Sequence, residues 1–260
     1  MLSKKYIFRF IPSVQYVMRK ILVLVVSFFW VSCVFTEEVT FNSDKTGQLS
    51  IGFNGSEFIK MMGGMNSDEE NKVVKKIDSL VVFSDILEAS KDSIAQLSLK
   101  EREELMKLEP YSLRIQMDES ADLFLFEMLT DFQKIEDVSD AFKTFSKSSV
   151  FGDQRTKGAP IVTNDGVEVS YSFKGNRFER KARIKNAELF RNALDSLSES
   201  AMILNASTYK MKYNFPVKVR SVSYEGAQLS SDMKSVLIEV NYQDLTANPE
   251  QYNFTVILEQ

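Results

Sequence analysis

Cys33 carries the only thiol in 260 residues, and the chain has no histidine. Without an imidazole there is no Ser-His-Asp or Cys-His catalysis, no histidine-ligated zinc and no histidine pH switch. The other reactive groupings are few. Met61, Met62 and Met65 in "MMGGM" offer thioethers of the kind that suit copper(I). They flank two adjacent glycines, however, and read as a loop tip that packs on an apolar surface. Asp118, Glu119 and Asp122 in "MDESAD" could gather oxygen ligands around a hard cation, but the spacing and glycine of an EF-hand are missing. A solvated hairpin turn is the expectation there. Arg177, Glu179, Lys181 and Arg183 alternate along "RFERKARI" and read as a solvated strand face. Asn54, Asn205 and Asn253 open N-x-[ST] sequons. No spacing marks a catalytic carboxylate pair or a metal site. The expectation is a protein without catalytic activity, metal or cofactor.

The setting of Cys33 says more than its chemistry. Lys4, Lys5, Arg9, Arg19 and Lys20 precede it, with no Asp or Glu in the first 32 residues. An apolar run, "ILVLVVSFFWV", follows from Ile21 to Val31. A basic region followed by a short apolar one is the layout of an export signal. A membrane-spanning helix needs roughly 20 apolar residues, so this run is too short to remain as a span. Met18 before Arg19-Lys20 would open a compact signal by itself.

Val31, Ser32 and Cys33 resemble the lipobox of bacterial lipoprotein signals, with Trp30 standing where that family has Leu. The resemblance implies that the signal is cut before Cys33 and that Cys33 is acylated, leaving residues 33–38 as a lipidated tether. It implies a protein of the cell envelope, on the outer membrane rather than the inner. Each buried methylene adds about 0.8 kcal/mol to membrane affinity and one chain anchors only marginally, so several chains on one cysteine suffice.

Five of the 32 Lys and Arg lie in the first 32 residues, which leaves 27 against 36 Asp and Glu, a net of −9. That charge argues against nucleic acid as a partner. It also argues against electrostatic adhesion to anionic lipid. Twenty phenylalanines supply a sizeable core.

The pattern between 39 and 260 predicts a single, largely antiparallel α+β domain. About ten strands come as hairpins, and about three helices pack on one face. Val39 and Phe41, then Leu49, Ile51 and Phe53, alternate around the "SDKTG" turn. "KKIDSLVVFSDIL" reads as a strand. Ser98 and Glu101 open a helix with a capping box, and Pro110 closes it. A second hairpin spans 111–132. In it "FLFEML" is apolar on both parities, which makes Phe124 and Phe126 part of a buried central strand or the lining of an apolar ligand cavity. Ile135, Val138, Phe142 and Phe145 fall on one helical stripe. The loop 148–160 is the candidate internal boundary. A third hairpin alternates Val167, Val169, Tyr171 and Phe173 with the return strand Phe178, Ala182 and Ile184. A helix follows over 186–204, and about four strands close the chain.

The segment "YNFPVKVRSVSYEGAQLSSDMKSVLIEVNYQDLTANPE" is similar to the C-terminal pattern of uncharacterised bacterial envelope lipoproteins. "VTFNSDKTGQLSIGF" resembles, more distantly, the opening of LppM-type domains. That resemblance implies an α+β module that binds lipid. Two functions therefore stand from the sequence: a lipoprotein binding a lipid or other hydrophobic ligand, or a structural lipoprotein that partners another envelope protein. Met61, Met62, Met65, Phe124 and Phe126 are the candidate ligand contacts.

Overall fold

The computed structural model describes residues 33–56, 76–138, 166–197 and 201–260. Val34–Phe41 (β1) and Gly47–Asn54 (β2) form the first hairpin, and Lys76–Val82 (β3) follows. Three helices come next: Phe83–Ala89 (α1), Lys91–Ile94 (α2) and Leu99–Met106 (α3). The predicted capping box is present: the Ser98 hydroxyl accepts from the Glu101 N–H while the Glu101 carboxylate accepts from the Ser98 N–H. Tyr111–Asp118 (β4) and Leu123–Phe132 (β5) form the second hairpin, Val167–Lys174 (β6) and Arg177–Ile184 (β7) the third. Gly175 turns this last one at a φ of 58°, a left-handed conformation that suits glycine. The helical pattern over 186–204 yields Ala187–Ser196 (α4) and Ala201–Ala206 (α5). Thr208–Asn214 (β8), Val219–Val222 (β9), Gln228–Leu229 (β10), Ser235–Asn241 (β11), Tyr242–Ala247 (α6) and Phe254–Leu258 (β12) complete the chain.

The strands make two sheets. The larger has the order β10-β11-β8-β1-β2-β5-β4-β3, the smaller β6-β7-β12-β9. Every pairing is antiparallel except β1 with β8. A parallel pair needs a long crossover, and here residues 42–207 lie between the two strands. The α+β class and the antiparallel character are as the sequence reads. The covering layer differs. The small sheet covers the part of the large sheet around β1 and β8, because β6, β7 and β12 each bury one parity. Phe41 packs its ring on Phe173 and Phe178 across this interface. Among the described residues three helices have seven or more residues. Of the stripe begun by Ile135, residues 135–138 form a 3-10 turn and the rest lies outside the described residues, as does 148–160.

Residues 33–38 are not a tether. They enter the middle of the large sheet as β1, with Val34 in register with Asn54 on one side and Thr208 on the other. The alternation that starts at Val39 simply extends backwards through Glu37 and Phe35.

Candidate functional site

β1 carries two adjacent glutamates. Strand geometry sends successive side chains to opposite faces, so Glu37 enters the interior and Glu38 the outer face of the large sheet.

Glu37 is 3% exposed and lies in the phase of Phe35, Val39 and Phe41. Its Oε1 accepts from the Tyr171 hydroxyl at 2.8 Å, from Arg180 Nε at 3.3 Å and from the Tyr213 hydroxyl. Its Oε2 accepts from the Tyr209 hydroxyl at 3.0 Å and from Arg180 Nη2 at 3.3 Å. Arg180, also 3% exposed, donates its remaining Nη1 to the Tyr252 carbonyl at 3.5 Å. Four strands build this cluster. β1 and β8 bring Glu37, Tyr209 and Tyr213 from the large sheet, and β6 and β7 bring Tyr171 and Arg180 from the small one. Phe178 and Phe254 wall it, each with its ring on Tyr213.

The electrostatics follow from burial and partners. Burial by itself would push the Glu37 carboxyl up. The Arg180 charge and the Tyr213 and Tyr171 hydroxyls outweigh it and hold the carboxyl below the usual range. Burial, reinforced by the Glu37 charge, pushes Tyr171, Tyr209 and Tyr213 well above the ordinary phenol value. A carboxylate has about four lone-pair sites, and five donors already converge on this one. No acceptor capacity remains for a substrate, and the cluster acts as a clamp between sheets.

Glu38 faces a different medium. Lys212 Nζ lies 2.8 Å from its carboxylate, and Asn214 Nδ2 donates to it at 2.7 Å. It lines a groove of about 420 Å³ on the outer face of the large sheet. Thr36 and Gly52 form its floor, Arg114 and Glu127 one side, and Lys210 the other, with Val34 and Leu125 adding apolar surface. The Glu127 carboxylate accepts from the Ser50 hydroxyl at 2.5 Å, and Lys210 pairs with Glu239 at 2.6 Å. Arg114 stands opposite Glu127 in register yet makes no side-chain hydrogen bond or ion pair among the described residues. A groove with one uncommitted cation and apolar flanks suits an amphiphile better than a bare hydrocarbon. Its volume falls in the range of small-molecule sites, about 300–1,000 Å³.

Cys33 lies in the core, 5% exposed. The sequence reading places it in a tether ahead of the domain, and the structure differs: the strand's inward phase extends to it. Burial pushes its thiol up, and a hydrogen bond with Ser207 opposes that. Phe124 and Phe126 sit on the inner parity of β5, half-buried against the core. They take no place in the Glu37 cluster, but Phe126 also lines the outer groove. Met61, Met62 and Met65 lie outside the described residues. Asp118 accepts from Ser120 and pairs with Lys76 at 3.3 Å, and among the described residues no group of three or more His, Cys, Asp or Glu could hold a metal ion. Arg177, Glu179 and Lys181 pair with one another on the exposed parity of β7. Glu37, Arg180, Tyr209 and Tyr213 were not singled out by sequence reasoning, and Tyr171 only as part of an apolar alternation. Their signal is a charged residue on the apolar parity of each of two strands: Glu37 between Phe35 and Val39, Arg180 between Phe178 and Ala182.

No family model matches the chain, and no curated protein matches it either. Among solved structures it is similar to the folded domain of LppM from Mycobacterium tuberculosis, determined by NMR. The TM-score is 0.37 at 10% identity, over 87% of this chain and 89% of that one. A likeness this loose carries no functional argument. Among the described residues no helix is long and apolar enough to cross a membrane.

Proposed function

We propose that the protein is a non-catalytic lipoprotein of the cell envelope, anchored through acylated Cys33, whose domain takes an amphiphilic ligand in the groove over Gly52. The observation that carries it is the single cysteine at the end of a basic and then apolar leader. The compact unit spans Ser32–Gln260, so a cut between Ser32 and Cys33 leaves the whole sheet in place. The buried thiol adds an order of events. A protonated thiol inside the core is a poor nucleophile, so acylation precedes folding. The acylated sulfur then needs a position outside the core that the unmodified thiol occupies.

The ligand reading rests on the groove: its volume, the uncommitted Arg114 and the apolar flank at Leu125. The second reading is a structural lipoprotein that uses this face for a protein partner, and the charged lining supports it. Native mass spectrometry of the Ser32–Gln260 fragment with extracted envelope lipids separates the two. A retained lipid that is lost in a Gly52→Leu variant supports the ligand. Bare protein in every extract supports the partner reading.

A further inference from the structure

One wall of the groove over Gly52 holds two half-used groups of opposite sign. Arg114 and Glu127 are direct partners across β4 and β5. Opposed residues hold their Cβ atoms about 5 Å apart, close enough for an ion pair, yet these two form none. The Glu127 Oε1 accepts from the Ser50 hydroxyl at 2.5 Å, which draws the carboxylate toward β2, beside the side-chain gap at Gly52. Its Oε2 has no partner among the described residues. Arg114 is exposed, and its guanidinium is equally uncommitted. Asp78 stands on the neighbouring strand, two residues from Leu80, the β3 partner of Arg114, and makes no ion pair with it either.

The other charges of the lining are already engaged. Glu38 is held by Lys212 and Asn214, and Lys210 by Glu239. The lining therefore sets Arg114 and Lys210 against Glu38 and Glu127, a balanced pair of each sign. A net anion would gain Arg114 but meet both carboxylates, on a chain that is acidic outside its leader. A net cation would gain Glu127 but meet Arg114. A head that carries both signs satisfies each free group. Its phosphate takes the planar fork of Arg114, and its ammonium donates to Glu127 Oε2. A short link between phosphate and ammonium suits two side chains directly opposed on adjacent strands. Val34 and Leu125 then flank the start of an acyl chain.

We infer that the groove selects a zwitterionic phospholipid head, with the phosphate on Arg114 and the ammonium on Glu127. The inference rests on the ligand reading of the groove proposed above, and it adds the charge type of the head and the residue that reads each end of it.

The compact Ser32–Gln260 unit is titrated calorimetrically with two lysophospholipids of the same acyl chain, one with an ethanolamine head and one with a glycerol head, both below their micellar concentrations. The ethanolamine lipid is expected to bind about ten-fold tighter, the scale of one hydrogen bond to a charged group. This comparison is made on the unsubstituted protein, so it does not depend on any variant folding. Glu127→Gln should abolish the preference, Arg114→Gln should weaken both lipids, and Gly52→Leu, which fills the groove floor, should remove both. Equal or reversed affinity for the two heads overturns the head assignment and leaves the ligand reading standing. A preference that survives Glu127→Gln, or an Arg114→Gln variant that binds like the parent, does the same. Binding of neither lipid, or binding that survives Gly52→Leu, overturns the ligand reading and the assignment with it.

Discussion

Glu37 and Glu38 are neighbours on one strand and share a side chain, yet they live in opposite media. Glu37 is sealed between two sheets among three tyrosines and one arginine. Glu38 sits in the wall of an open groove with Lys212 and Asn214. The difference teaches where energy and where function are stored. A buried charge is costly to desolvate and has no alternative partner, so its ligands fix geometry. A surface charge is held weakly and exchanges partners, so it remains available to a ligand.

The largest expected effect separates the two faces directly. Arg180→Met leaves Glu37 ionised, buried and without its counter-charge, and such breakage costs about 3–5 kcal/mol. Urea unfolding of the variant checks it. Glu37→Leu combined with Arg180→Met removes both charges and should recover a substantial part of that loss. If the single variant unfolds like the parent, the clamp is no clamp.

Next in size is the removal of one donor. Tyr213→Phe takes away a hydroxyl aimed at a charged acceptor, a contact worth about 1.5–3 kcal/mol. The midpoint of urea unfolding should fall with the slope unchanged.

The same cluster sets a pH profile. The folded Glu37 carboxyl is depressed, so its contribution is present above the unfolded value, about pH 4.3, and is lost as pH falls through the lower folded value. The three tyrosines are raised, so their contribution is present below about pH 10 and is lost as pH rises above it. Thermal melts should show a plateau between these limits and a steep alkaline fall. The fall should be shallower in Tyr213→Phe.

On the outer face the effects on stability are small. A Cβ at Gly52 meets only the Phe126 carbonyl oxygen, at 3.6 Å, an ordinary contact. Gly52→Leu should keep the parent melting temperature within a few degrees while filling the groove floor. Glu38→Ala should cost less than about 1 kcal/mol, and salt should shrink even that. A Glu38→Ala loss as large as that of Arg180→Met would erase the distinction between the two faces.

Much of the fold was legible because hairpins are local. The turns at "SDKTG" and "KGNR" and the alternation at 167–173 specify their own pairings. The parallel union of β1 with β8 was not legible, because it joins residues 174 apart, as Val34 and Thr208 are, and no local pattern announces it. The tether at 33–38 failed for a related reason. Glu37 and Glu38 look like the onset of a solvated acidic segment. Only the tyrosines of β8 and the arginine of β7 make a buried glutamate tolerable, and they become neighbours only in the fold. Of the groove's lining only Phe126 was singled out from the sequence as a ligand contact, since Thr36, Gly52, Arg114 and Lys210 come from four strands. The proposed anchor rests on linear sequence alone, because an acylation signal is read before folding.

Intact mass of the mature protein extracted from membranes tests that anchor most directly. The expected species begins at Cys33 and exceeds the mass of residues 33–260 by that of its acyl chains, and Cys33→Ala should accumulate as uncleaved precursor. A mature chain that begins elsewhere, or a free thiol at Cys33, would contradict it.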